Sequence, residues 1–257
     1  MSGAGATLRT SVTDGILVIT MSRAEARNAM TIEMAEGIAH ALDELDARPD
    51  LAVGVLTGEG GTFCAGADIK RLAAGQSATV PGRGFGGLVE KPPGKPLVAA
   101  VEGWALGGGF ELVLACDLVV CGTGARFGLP EVSRGLVARA GGALRLPRRL
   151  PRAIALEVLL AGQPLTAARA HHFGLVNDVV EDGAALDAAL GLAGRVGAHA
   201  PLAVAATKRI VDESHDWPAA DMFTRQRAYT DPVFASADAA EGALAFAEKR
   251  RPRWSST

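Results

Sequence analysis

Residues 8–21 read as two strands joined at Asp14-Gly15, a dipeptide favoured by two-residue hairpin turns. Beyond them the apolar spacing lengthens. Thr31 is a helix cap, and Ile38, Leu42 and Leu45 share one face of a helix running to about Asp46. Short apolar runs at 51–57, 97–101 and 118–121 predict strands, with a helix over 108–115 between the last two. Strand, helix and strand in alternation imply βαβ units and a mainly parallel sheet. After about residue 150 helical spacing dominates, over roughly 151–160, 166–172, 184–198, 201–213, 217–229 and 238–249. The last opens with Asp238 and Glu241, spaced as in a capping box. Residues 74–96 are rich in Gly and Pro with few core signals, and read as a mobile loop over or beside a site. The fold class is therefore α/β, followed by a helical C-terminal region.

The 257 residues suffice to bury a substantial core, and 49% of them are apolar. No uninterrupted apolar stretch is long enough to span a bilayer, so membrane insertion is not expected. The first ten residues lack the apolar segment of a secretory signal, which leaves a cytoplasmic protein as the expectation. A net charge of −2 with intermixed signs argues against nucleic-acid binding. Two basic clusters, Arg145, Arg148, Arg149 and Arg152, and Arg250, Arg251 and Arg253, suit phosphates, a partner subunit or plain solvation. The cysteines (Cys64, Cys116, Cys121) and five histidines show no metal-ligand spacing, so reduced thiols and no metal site are expected.

Gly82, Gly84 and Gly87 match G-x-G-x-x-G, but no clear strand precedes them and Pro92-Pro93 follows, so the dinucleotide context is missing. No Walker A sequence and no G-x-S-x-G occurs. Three other segments carry candidate chemistry. In the first, 58–70, small residues at 64–67 allow close approach to the main chain, and Asp68 can cap a short helix whose bare N–H groups favour negative charge. A tight turn without ligand fits that pattern equally. In the second, Trp104-Ala105-Leu106-Gly107-Gly108-Gly109-Phe110-Glu111, three glycines open a helix and Glu111 sits one turn inside apolar surroundings. A carboxylate there is costly unless it has partners or a function. A structural glutamate near a helix N-terminus is the equal alternative. In the third, Phe127-Gly128-Leu129-Pro130-Glu131, Glu131 follows a proline in a turn, where most glutamates are solvated.

Taken together, these segments resemble the enoyl-CoA hydratase/isomerase family, the crotonase superfamily, over nearly the whole chain. Arg27-Asn28-Ala29-Met30 is similar to its CoA-binding turn, and Phe246-Ala247-Glu248-Lys249-Arg250 to its C-terminal helix. The resemblance implies a crotonase-like core of ββα units over residues 1–195. Residues 196–257 would form a helical region involved in oligomerisation and active-site cover. It implies an oxyanion hole from the N–H groups of Ala67 and Gly108, catalysis by Glu111 and Glu131, and CoA and substrate contacts from Arg27, Ala29, Ala65, Asp68, Ile69 and Lys70. The partner would be an acyl-CoA thioester. CoA is then part of the substrate, and no separate cofactor is implied. A homotrimer or dimer of trimers is the usual assembly, in which Lys249 would reach a neighbour's CoA.

Retention of both Glu111 and Glu131 favours an enoyl-CoA hydratase, which adds water to a trans-2-enoyl-CoA to give a 3-hydroxyacyl-CoA. In that reading Glu111 is ionised and takes the water's proton, while Glu131 is protonated and delivers one to C2. Enoyl-CoA isomerisation, another crotonase-type reaction, and acyl-CoA binding without turnover are the alternatives. The segments 131–138 and 201–210 look like those of hydratases acting on bulky thioesters. Arg139, in Ala138-Arg139-Ala140-Gly141-Gly142, departs from the small residues the family often has there, and it either faces solvent or alters the region beside Glu131.

Overall fold

A computed structural model describes residues 7–255. Strands β1 (Leu8–Thr13) and β2 (Ile16–Met21) pair antiparallel around Asp14 and Gly15, both at positive φ. Positive φ at both central residues makes the hairpin that the dipeptide predicts. Helix α1 (Ile32–Ala47) follows, with the Thr31 hydroxyl accepting from the Met34 N–H. Strands β3 (Val53–Gly58), β6 (Leu97–Val101), β8 (Leu118–Gly122) and β11 (Asp178–Val180) then extend the sheet. Between β3 and β6 come α2 (Ile69–Ala73), β4 (Thr79–Val80) and β5 (Gly84–Phe85). The six-stranded order is β1-β2-β3-β6-β8-β11, parallel throughout except at the first pair.

Alternation along these strands divides the core in two. Leu17, Ile19, Leu56, Leu97, Ala99, Val101, Val119 and Cys121 face α1 and α3 (Gly108–Ala115). Ile16, Val18, Val53, Val55, Val98, Ala100 and Val120 face Ala189 and Ala193 of α7 (Ala185–Gly197). Cover on both faces is why the inner strands read as continuous apolar runs.

At the ends of β6 and β8 the chain bends into a second sheet. Its strands are β7 (Trp104–Leu106), β9 (Arg126–Gly128) and β10 (Leu165–Thr166), in the order β10-β9-β7. The ββα repeat β6-β7-α3 thus places the start of α3 at the edge where the two sheets part. The sequence pattern merges β7 and β9 into loops because three residues are too few to show a period.

The later helices are α4 (Gly142–Arg149), α5 (Arg152–Ala161), α6 (Ala167–His172), α8 (Pro201–Ser214), α9 (Met222–Phe234) and α10 (Ala237–Ala247). Three expectations need correction. The helix expected over 217–229 lies five residues later, because it tolerates Pro232 in its last turn and starts only after Pro218. Helix α10 is capped by Ser236, whose hydroxyl accepts from the Ala239 N–H, and Glu241 pairs with Arg250, so the Asp238/Glu241 capping box does not form. The segment 74–96 is no loose cover: Ala78, Leu88 and Val89 are buried, and the buried Arg83 pairs with Asp43 and donates to the Lys91 carbonyl. Its longest continuous exposed stretch is 74–77. Among the described residues no single helix is long and apolar enough to cross a membrane.

Lys95 closes α1 from the side. Its Nζ donates to the carbonyls of Leu45, Arg48 and Leu51 at 2.8, 2.6 and 2.7 Å. Hydrogen bonds to a charged donor are worth about 1.5–3 kcal/mol. Lys95→Met is therefore expected to lower stability by about 2 kcal/mol in equilibrium urea unfolding; an unchanged midpoint would mean that water replaces the ammonium at no cost.

Candidate active site

Two backbone segments meet where α3 begins. The Cys64 N–H donates to the Trp104 carbonyl (3.0 Å) and the Leu106 N–H to the Cys64 carbonyl (3.0 Å), so residues 64–66 run alongside β7. On its other side this segment is held by Met30, whose N–H donates to the Gly66 carbonyl (2.8 Å) and whose carbonyl accepts from the Asp68 N–H (3.1 Å). The C=O and N–H of one trans peptide point in opposite directions. A Gly66 carbonyl fixed on Met30 therefore turns the Ala67 N–H away from Met30.

The same logic sets Gly108. The Gly107 carbonyl accepts the first bond of α3, from the Glu111 N–H (3.0 Å), so the Gly108 N–H points out of the helix start. Among the described residues neither the Ala67 nor the Gly108 N–H donates to any protein group. Gly66 lies at φ +94°, and a Cβ there would sit 2.8 Å from the Leu106 oxygen and 3.4 Å from the Gly108 nitrogen. Only glycine permits that approach.

A cavity of about 290 Å³ opens on these groups, lined by Ala67, Gly108, Glu111 and Glu131 together with Phe85, Leu136 and Arg139, among others. Glu111 is 3% exposed, and its Oε1 accepts from the Gly142 N–H (2.9 Å) at the start of α4. Burial pushes its pKa above the usual carboxylate range, the Gly142 bond opposes that, and the negative charge of Glu131 adds to it. Glu131 opens a short 3-10 turn (Glu131–Arg134) after β9. Its Oε1 lies near Gly107, where an added Cβ would be 3.2 Å away. Its Oε2 is buried with no hydrogen-bond partner, and burial raises its pKa too, against the opposing charge of Arg134. Cys64, beside the N–H pair, is fully buried with its thiol pushed up to about 12, which makes it no thiolate nucleophile.

The cavity brings together five of the residues expected from sequence: Ala67, Asp68, Gly108, Glu111 and Glu131. The Asp68 carboxylate is already engaged, capping α2 through the Lys70 and Arg71 N–H groups and pairing with Arg23 (3.1 Å). Arg27, Ala29, Ala65, Ile69 and Lys70 do not line the cavity. They form an adjoining stretch, in which the Ala65 N–H donates to the Arg27 carbonyl (3.0 Å) and Arg27, Ile69 and Lys70 are exposed. The left-handed turn at Arg27 and Asn28 is held by the fully buried Asn28 amide, which donates to the Glu59 and Thr62 carbonyls (2.8 and 2.7 Å). Sequence reasoning missed Phe85 and Thr31 as wall residues; Phe85 lies in the Gly/Pro-rich stretch, where no periodicity marks it.

A profile of the enoyl-CoA hydratase/isomerase family matches residues 11–257. The chain belongs to this family of enzymes. It is 41% identical over 249 residues to enoyl-CoA hydratase EchA19 of Mycobacterium tuberculosis, covering 93% of this chain and 92% of that protein. It is also 41% identical over 247 residues to carnitinyl-CoA dehydratase of Proteus mirabilis, covering 93% of each. A crystal structure of an enoyl-CoA hydratase from M. tuberculosis H37Rv superposes with a TM-score of 0.96 at 53% identity, over 98% of this chain and all of that one. The expected family and its α/β fold are both borne out.

The raised carboxyls have a consequence for stability. A group whose folded pKa lies above its unfolded value holds its proton more tightly when folded, so it costs stability as pH rises past the unfolded value near 4.5. Glu111→Gln combined with Glu131→Gln removes that cost. The double variant should exceed the parent in Tm at pH 8, with the gap shrinking toward pH 5; a gap independent of pH would show that the carboxyls are not perturbed.

Proposed function

We propose that this chain is an enoyl-CoA hydratase that adds water to a trans-2-enoyl-CoA to give a 3-hydroxyacyl-CoA. The observation that carries the reading is one cavity presenting two unbonded backbone N–H groups, at Ala67 and Gly108, and two carboxyls, Glu111 and Glu131. The thioester oxygen would accept from both N–H groups, each contributing roughly 10²–10³ in rate, with the N-terminus of α3 adding a favourable dipole. The names of the relatives support the same chemistry, since a hydratase and a dehydratase run one reaction in opposite directions.

The two glutamates sit in environments that suit opposite roles. Glu111 keeps an N–H donor from Gly142, which favours its anion, whereas Oε2 of Glu131 is buried with no hydrogen-bond donor, and burial outweighs the opposing charge of Arg134. Glu111 accepts a proton from water as the oxygen bonds to C3. The C2=C3 electron pair moves toward C1, and the thioester oxygen gains negative charge in the oxyanion hole. As the enolate collapses, C2 takes a proton from Glu131. Atoms balance as one water added, leaving Glu111 protonated and Glu131 ionised until protons exchange with solvent. The two should titrate as a pair.

CoA would lie along the adjoining stretch, with Arg27, Ala29, Ala65, Ile69 and Lys70 beside its nucleotide and pantetheine. Assembly as a homotrimer or dimer of trimers is part of the proposal. Phe223, Phe234 and Phe246 on or beside α9 and α10 support it, being 74%, 82% and 87% exposed in the single chain.

Loss of the conjugated thioester's ultraviolet absorbance, with a product heavier by one water, tests the reaction directly. Glu111→Gln and Glu131→Gln should each lower kcat/KM about 10²–10⁴-fold. In what activity remains, Glu111→Gln should lose the acidic limb of the pH profile and Glu131→Gln the alkaline limb. Near-normal hydration by either variant would exclude the two-glutamate mechanism, and a product of unchanged mass would replace hydration with isomerisation.

A further inference from the structure

Two cationic residues line the catalytic cavity, Arg71 and Arg139, and a third, Arg23, pairs with the lining residue Asp68. Arg71 is committed to Glu33, with contacts of 2.8 and 2.9 Å, and Arg23 to Asp68. Arg139 differs. It is an exposed residue at the cavity, and among the described residues its guanidinium makes no hydrogen bond or ion pair. The basic groups that act on the two glutamates are others, Arg145 on Glu111 and Arg134 on Glu131.

Its neighbours matter as much as its charge. Leu136, Val137 and Ala140 line the cavity along with Arg139, and Leu136 and Val137 are 55% and 70% exposed. Leu72, Gln76, Ser77 and Thr79 line the same cavity. An acyl chain held in this cavity would have apolar side chains, polar groups and Arg139 in its lining. A neutral alkyl tail offers that guanidinium nothing. A trimethylammonium tail would be repelled by it. A carboxylate would match its fork of donors.

Resting on the hydratase reading, we propose that Arg139 is a specificity-determining residue that selects acyl-CoA thioesters whose acyl chain ends in a carboxylate. The preference acts on the distal chain and is separate from the chemistry at C2 and C3.

The test separates binding from turnover. Saturated ω-carboxyacyl-CoA thioesters of four to ten carbons, and their neutral counterparts of equal length, are titrated onto the intact protein by calorimetry. At the best chain length the parent should bind the carboxylate about tenfold tighter, and Arg139→Ala should erase the ratio while Arg139→Lys restores part of it. Arg139→Glu should invert it in favour of a trimethylammonium-terminated chain. These ratios need no hydration, so they hold or fail whether or not the hydratase reading does. The corresponding 2-enoyl thioesters then show whether the same ratio appears in kcat/KM. A parent that binds neutral chains as well or better at every length overturns the proposal, as does a ratio unmoved in Arg139→Ala.

Discussion

Everything at the site depends on the direction of two peptide planes. The Gly66–Ala67 peptide is fixed by the bond from Met30 to its carbonyl, and the Gly107–Gly108 peptide by the bond from Glu111 to its own. Each fixed carbonyl aims the N–H of the same plane the opposite way. Neither donor needs a side chain, and neither can reorient without breaking a structural bond. Donors held in advance cost no reorganisation when charge develops, which is what gives an oxyanion hole its value. The core supports the arrangement from beneath: β6 delivers β7, β7 pairs with residues 64–66, and α3 starts where β7 ends.

Glu111 ties the two halves of the site together. Its backbone N–H orients the Gly108 peptide, and its carboxyl accepts from Gly142 at the start of α4. One residue thus orients the Gly108 donor and presents a carboxyl to the same cavity. Glu131 arrives from a different unit, after β9, and leaves one buried oxygen unsatisfied. Such an orphan costs stability, and unfavourable groups of this kind persist where function requires them.

Much of this is legible in the amino-acid sequence. The parallel sheet followed from strand and helix periods, and the inner strands matched because burial on both faces leaves a continuous apolar run. Thr31 and Asp68 were read as caps from their residue type, and both cap. Glu111 was legible as an anomaly, a carboxyl in an apolar helix. Glu131 was not, since a glutamate after a proline carries no periodic signal; only the family resemblance singled it out. The 74–96 segment misled because Gly and Pro obscure periodicity even when intervening residues such as Leu88 and Val89 are buried. Helix α9 lies later than the expected 217–229 because it starts only after Pro218 and carries Pro232 in its last turn. The environment of Arg139 depends on which wall folds against it, and local sequence says nothing of that.

The most direct measurement is the carbonyl stretch of a bound enoyl-CoA labelled with carbon-13 at C1, followed by isotope-edited infrared spectroscopy. With the N–H groups of Ala67 and Gly108 both on the thioester oxygen, the stretch should fall well below its value in water, and it should fall equally in the Glu131→Gln variant. A bound thioester with its carbonyl at the solution frequency would contradict the oxyanion hole, and with it the reaction proposed for this cavity.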